Sequence, residues 1–117
     1  MKYLLLFFFL SWIAPEPSWE WLDPLEHDFG DIPQHEEATH AFRYVNTGEV
    51  PLTIDNIRTS CGCTTPDWAQ SPVMPGDTGV ILLEYDARDP GYFRKQSKVY
   101  FHGYRKAEKL YIEGFVE

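Results

Sequence analysis

Positive charge is scarce in this chain. Ten Lys and Arg stand against 18 Asp and Glu, a formal charge of −8, and the longest basic groupings are the pairs Arg94-Lys95 and Arg105-Lys106. A phosphate backbone calls for clustered cations, so no nucleic-acid partner is expected. Helical periodicity is missing after the N-terminal apolar run, which excludes a helix bundle. No glycine loop leads into a helix that would cradle a phosphate. A glycine-flanked nucleophile elbow is absent too, and Ser60, Thr64 and Thr65 have no neighbouring base in sequence. Carboxylate pairs such as Glu36 with Glu37 and Asp86 with Asp89 fall at turns, where acids are common, so no general acid or base is assigned. The chain is read as a non-enzyme with no catalytic residue.

Long hydrophobic runs are equally rare. Tyr3 to Ile13, behind the short basic start Met1-Lys2, is the one extended case, and it has the layout of a secretory signal. As a helix it would cover only about half of a hydrocarbon core roughly 30 Å thick, so no permanent membrane span is expected unless the signal is kept. Residues 1–18 are read as the signal, with cleavage near Ala14 or Ser18. No cysteine follows the run, so a lipid-attachment site is missing. The protein is expected to be exported, periplasmic or secreted. Residues 19–24, bounded by prolines and acids, are read as a linker, and residues 25–117 as the folded domain.

What remains is patterned with period two. Glu26 to Phe29, Ala38 to Asn46, Leu52 to Thr59, Val80 to Asp86, Ser97 to Phe101 and Lys109 to Glu117 each have strand length. Within them apolar residues alternate, as in Phe42 and Tyr44, Ile81, Leu83 and Tyr85, or Leu110 and Ile112, which marks one buried face. Asn46-Thr47-Gly48, Pro75-Gly76-Asp77 and Asp89-Pro90-Gly91 supply turn chemistry between them. About seven such strands with no helix between them predict an all-β fold, an antiparallel immunoglobulin-like β-sandwich. Phe29, Phe42, Tyr44, Tyr85, Phe93, Phe101 and Phe115 are expected to carry much of the burial.

The order of motifs resembles the bacterial domain-of-unknown-function family 1573, which has an immunoglobulin-like sandwich. The likeness is carried by His27-Asp28-Phe29-Gly30-Asp31-Ile32, then Phe42-Arg43-Tyr44-Val45-Asn46-Thr47-Gly48 and Pro51-Leu52-Thr53-Ile54. It continues through Ser60-Cys61-Gly62-Cys63-Thr64, Pro75-Gly76, Ile81-Leu82-Leu83-Glu84-Tyr85 and Gly91-Tyr92-Phe93-Arg94-Lys95 to Ile112-Glu113-Gly114-Phe115-Val116. One departure is His35-Glu36, where similar sequences tend to place a glycine. The resemblance implies an exported module that binds other proteins, with no established reaction.

Both cysteines of the chain sit in one cluster, Cys61-Gly62-Cys63. In a regular strand their β-carbons would stand too far apart for a disulfide, which needs roughly 3.5 to 4.5 Å. Gly62 is expected to relieve this by adopting backbone angles closed to other residues. A local disulfide, structural or weakly redox-active, two buried thiols, a Cu(I) or Zn site on both thiolates, and bridges between chains all remain open, with export favouring oxidised sulfur. A tetrahedral zinc site would need His27, His35, His40 or His102 to fold nearby. His35 and His40 do not match H-E-x-x-H spacing. Trp68 is the candidate partner-binding residue, against the plainer reading of a cap on the core. The expected function is a non-catalytic module for protein interaction or envelope scaffolding, recognising an envelope protein, with thiol-based metal or redox chemistry as the alternative.

Overall fold

A computed structural model describes residues 18–117. The expected signal over residues 1–18 lies, apart from Ser18, outside the described residues. Among the described residues, eight strands follow one another without a helix: β1 Trp19–Trp21, β2 Glu26–Ile32, β3 Ala38–Asn46, β4 Ile54–Thr59, β5 Thr64–Trp68, β6 Thr78–Tyr85, β7 Gly91–Phe101 and β8 Glu108–Val116. They form two four-stranded sheets, ordered β1-β3-β6-β5 and β2-β8-β7-β4. The sheets pack face to face as an immunoglobulin-like sandwich.

The inner faces follow from the alternation. Phe42 on β3 stands opposite Ile81 on β6, and Val99 and Phe101 on β7 oppose Ile57 and Ile54 on β4. These six are buried, as are Leu83, Tyr85, Leu110, Ile112 and Val116. Each large apolar side chain removed from water contributes about 1.5 to 3 kcal/mol. Gly79 is part of this packing, because the Tyr44 ring occupies the space where a β-carbon would stand.

Four expectations are corrected. Residues 19–24 are not a linker: Trp19–Trp21 pairs antiparallel with β3, Trp19 opposite Asn46 and Trp21 opposite Tyr44. The prolines flank this strand instead of interrupting it, and Trp19 is buried with its ring stacked on Phe101 at 4.1 Å. The segment after the cysteines, left out of the expected strands, becomes β5 on the edge of its sheet, where Pro66 is tolerated because an edge strand has a side without ladder partners. The sandwich is not wholly antiparallel, since β2 runs parallel to β8. Phe115 faces out, 48% exposed, because Gly114 and Val116 hold the inward positions of β8.

Candidate functional site

The cysteine turn is the crossover between the two sheets. β4 ends at Thr59 in one sheet and β5 starts at Thr64 in the other. Thr64 N–H donates to the Cys61 carbonyl at 3.4 Å, and the Thr59 hydroxyl donates to the same oxygen at 3.0 Å. This turn brings the Cys61 and Cys63 α-carbons to 5.3 Å, and the two sulfurs are joined as a disulfide. Cys63 N–H also points at Cys61 Sγ, 3.2 Å away. Gly62 is not among the residues with positive φ, so the bend between sheets, and not a glycine-only conformation, draws the cysteines together. A β-carbon at Gly62 would meet nothing within 4 Å.

Both flanks of the turn are tied down. Ser60 exchanges bonds with Gln96 on β7, N–H to carbonyl at 2.9 Å and Gln96 N–H to the Ser60 hydroxyl at 3.1 Å. Asp86 N–H, just past β6, donates to the Cys63 carbonyl at 3.0 Å. The disulfide therefore sits where backbone from both layers converges.

Trp68 lies opposite Ile81 and so points inward. It is half-buried against the core, and its Nε1 is enclosed without a hydrogen-bond partner. That is the placement of a cap. Beside it, a shallow groove of about 410 Å³ is lined by Trp68, Val73, Val80, Leu82 and their neighbours. Val80 and Leu82 face outward, 43% and 37% exposed.

The four histidines occupy three separate places. His27 on β2 and His40 on β3 stack across the seam between the sheets, rings parallel within 6° and 3.6 Å apart, with Phe42 edge-on to His40. His102 Nδ1 lies 3.0 Å from Asp55. His35 occupies the loop before β3 with φ of 67°, the left-handed region that favours glycine. Among the described residues, no three His, Cys, Asp or Glu side chains come together as metal ligands. Burial, and then the neighbouring His27, hold the His40 imidazole below its ordinary value of 6.5, with Asp23 acting in the opposite direction.

Sequence reasoning overlooked Asn46. Its amide donates to the carbonyls of Val50 at 2.8 Å and Val73 at 2.9 Å, and its side-chain oxygen accepts from Gly48 N–H at 2.9 Å. With backbone bonds to Asp77 and Gly76, this buried residue joins three loop segments. The signal was Asn46-Thr47-Gly48 following an alternating strand, a turn motif whose side chain reaches back into the fold.

The family described as "Protein of unknown function (DUF1573)" matches residues 21–116. This chain belongs to that family. The match starts inside β1, which agrees with a domain that begins before residue 25. Among solved structures, a protein of unknown function from Porphyromonas gingivalis W83 is similar at TM-score 0.70 and 14% identity, over 83% of this chain and 46% of that one. The PapD-like domain 7 of human CEP192, an ASH domain, is similar at TM-score 0.71 and 8% identity, over 86% and 85%. The Vibrio cholerae VesB protease is similar at 0.66 and 13%, over 84% and 32%. The chain thus spans less than half the length of the Porphyromonas and Vibrio proteins, and at these identities the likeness establishes the fold alone. No curated protein matches the sequence.

Proposed function

We propose that this domain is a non-catalytic exported module that docks an envelope protein along the β5 edge. The observation that carries the reading is the groove beside that edge, where Val80 and Leu82 on β6 stay exposed next to Trp68 and Val73. Outward branched aliphatics on a strand already paired on both sides contribute little to the core. Lying next to a free strand edge, they offer a pocket for side chains of an added extended segment. Pro66 removes one N–H from the edge, which limits open-ended self-association. The similar fold in the CEP192 domain, which is PapD-like by description, is compatible with such a use.

The test is photocrosslinking in the native bacterium with benzoylphenylalanine at position 80 or, as control, at exposed position 92. A discrete adduct from position 80 that disappears with Leu82→Asp, and that position 92 does not give, supports the reading. No adduct, or the same adduct from both positions, overturns it.

A further inference from the structure

The outer face of the other sheet carries its charges in rows, and two rows contrast. In one, Arg94 on β7 stands opposite Glu113 on β8, and the guanidinium reaches Glu26 at 2.7 Å and Glu113 at 3.5 Å. In the other, Lys98 on β7 stands directly opposite Lys109 on β8 on one side and Arg58 on β4 on the other. Their neighbours Ile57, Val99 and Leu110 are buried, so all three cations share the outer face. Every ion pair among the described residues uses Arg43, Arg88, Arg94 or His102. None of the three cations is neutralised there, although the chain as a whole carries −8.

Like charges placed directly opposite one another destabilise a sheet. Two such contacts in register, in a protein with carboxylates to spare, are a standing cost that an anionic ligand would remove. The surroundings suit a ligand with more than charge. The Arg58 guanidinium lies over the Tyr100 ring at 5.8 Å. A cavity of about 260 Å³ lined by Arg58, Ser60, Gln96, Lys98 and Tyr100 opens beside the row. Gln96 is itself held by the Tyr111 hydroxyl at 2.9 Å.

We propose that this row is a binding site for an acidic polysaccharide, laid across strands β4, β7 and β8. A polypeptide fits less well. Peptides join a sheet along an edge through backbone groups, whereas this row crosses the middle of a face. Cations on adjacent strands are spaced by about 4.8 Å, while same-side carboxylates of an extended peptide recur every two residues, roughly 6.6 Å. A sugar ring has an apolar face for Tyr100 and hydroxyls for the Gln96 amide and Ser60, all of which line that cavity. The site goes beyond the β5 docking reading and lies on the opposite sheet, so the two fail separately.

The experiment is affinity electrophoresis of the folded protein through gels containing polygalacturonate, poly-glutamate or neutral dextran. Polygalacturonate should retard the protein, with retardation lost at high salt because exposed charges are screened. Lys98→Glu should weaken retardation at least about tenfold, as expected when one central charge contact reverses sign, while Leu82→Asp leaves it unchanged. Lys98→Glu should also melt no lower than the parent, since it replaces two repulsions with two attractions. No retardation by polygalacturonate, retardation that survives Lys98→Glu, or equal retardation by poly-glutamate would each overturn the assignment. A lower melting point for Lys98→Glu would contradict the repulsion on which it rests.

Discussion

At the end of the sandwich where β3 finishes and β6 begins, closure is made by side chains. Trp19 stacks on Phe101, meets Tyr104 edge-on at 4.7 Å, and donates its indole N–H to Glu108 at 2.9 Å. Asn46 ties the loops above them. At the opposite end, where β6 finishes, Tyr85 stacks on Phe93 at 3.8 Å, but backbone shapes the loops beyond. His35 and Ala87 both take positive φ and are joined by a 2.8 Å bond from His35 N–H to the Ala87 carbonyl, next to the cysteine turn. Conformations that glycine adopts freely cost other residues about 1 to 2 kcal/mol. One end is held by what its side chains gain, while the other holds its shape against local preference.

The contrast is broken most forcefully at the side-chain end. Trp19→Ala should destabilise by about 3 to 5 kcal/mol through lost burial and a cavity. Asn46→Ala should cost roughly 2 to 4 kcal/mol by stranding buried carbonyls. Denaturant unfolding measures both. If Trp19→Ala costs no more than a surface substitution, the first strand is the linker that its prolines suggested.

At the cysteine end the expected effect is smaller. Replacing both Cys61 and Cys63 with Ser opens a loop of only a few residues, for which chain entropy predicts about 1.5 kcal/mol, and the variant should remain folded. Melting it beside the parent, with and without reductant, checks this: reductant should lower the parent toward the variant and leave the variant unmoved.

The His27–His40 stack bridges the two layers and adds a pH dependence. Since the folded His40 is held below 6.5, chiefly by burial, the unfolded chain binds a proton more readily. Its contribution is therefore full above about pH 6.5 and is lost as pH falls toward the folded value. His40→Gln should flatten that part of a melting-temperature profile. An equal slope in the variant would place the titration elsewhere.

The smallest effect carries the opposite sign. His35→Gly relieves the positive φ but adds unfolded-state entropy, for a net gain of roughly 0.5 kcal/mol. A loss of stability would show that the His35 side chain supports the loop.

Strands whose alternation is unbroken were legible in sequence. β3 was bounded as it stands, and β6 and β8 to within two residues, because Phe42, Ile81 and Leu110 each start a clean period of two. β7 was recognised only from Ser97, although it begins at Gly91, because Lys95 takes an inward position opposite Ile112 and interrupts the pattern. β1 and β5 were missed for a related reason. Three residues between prolines, and a segment containing Pro66, carry little propensity, and only their tertiary partners make them strands. The cysteine pair was visible, but its bonding depended on the bend between sheets, which no local spacing encodes. The row of Arg58, Lys98 and Lys109 was invisible for the same reason, since its members are adjacent only after three strands pair.

Amide hydrogen exchange, read residue by residue on the folded domain, tests the comparison most directly. The account predicts that Asn46, Thr47 and Gly76, bonded at the Trp19 end, exchange only through global unfolding, whereas His35, Thr64 and Asp86 exchange faster through local opening. Equal protection at both ends, or slower exchange beside the disulfide, would contradict it.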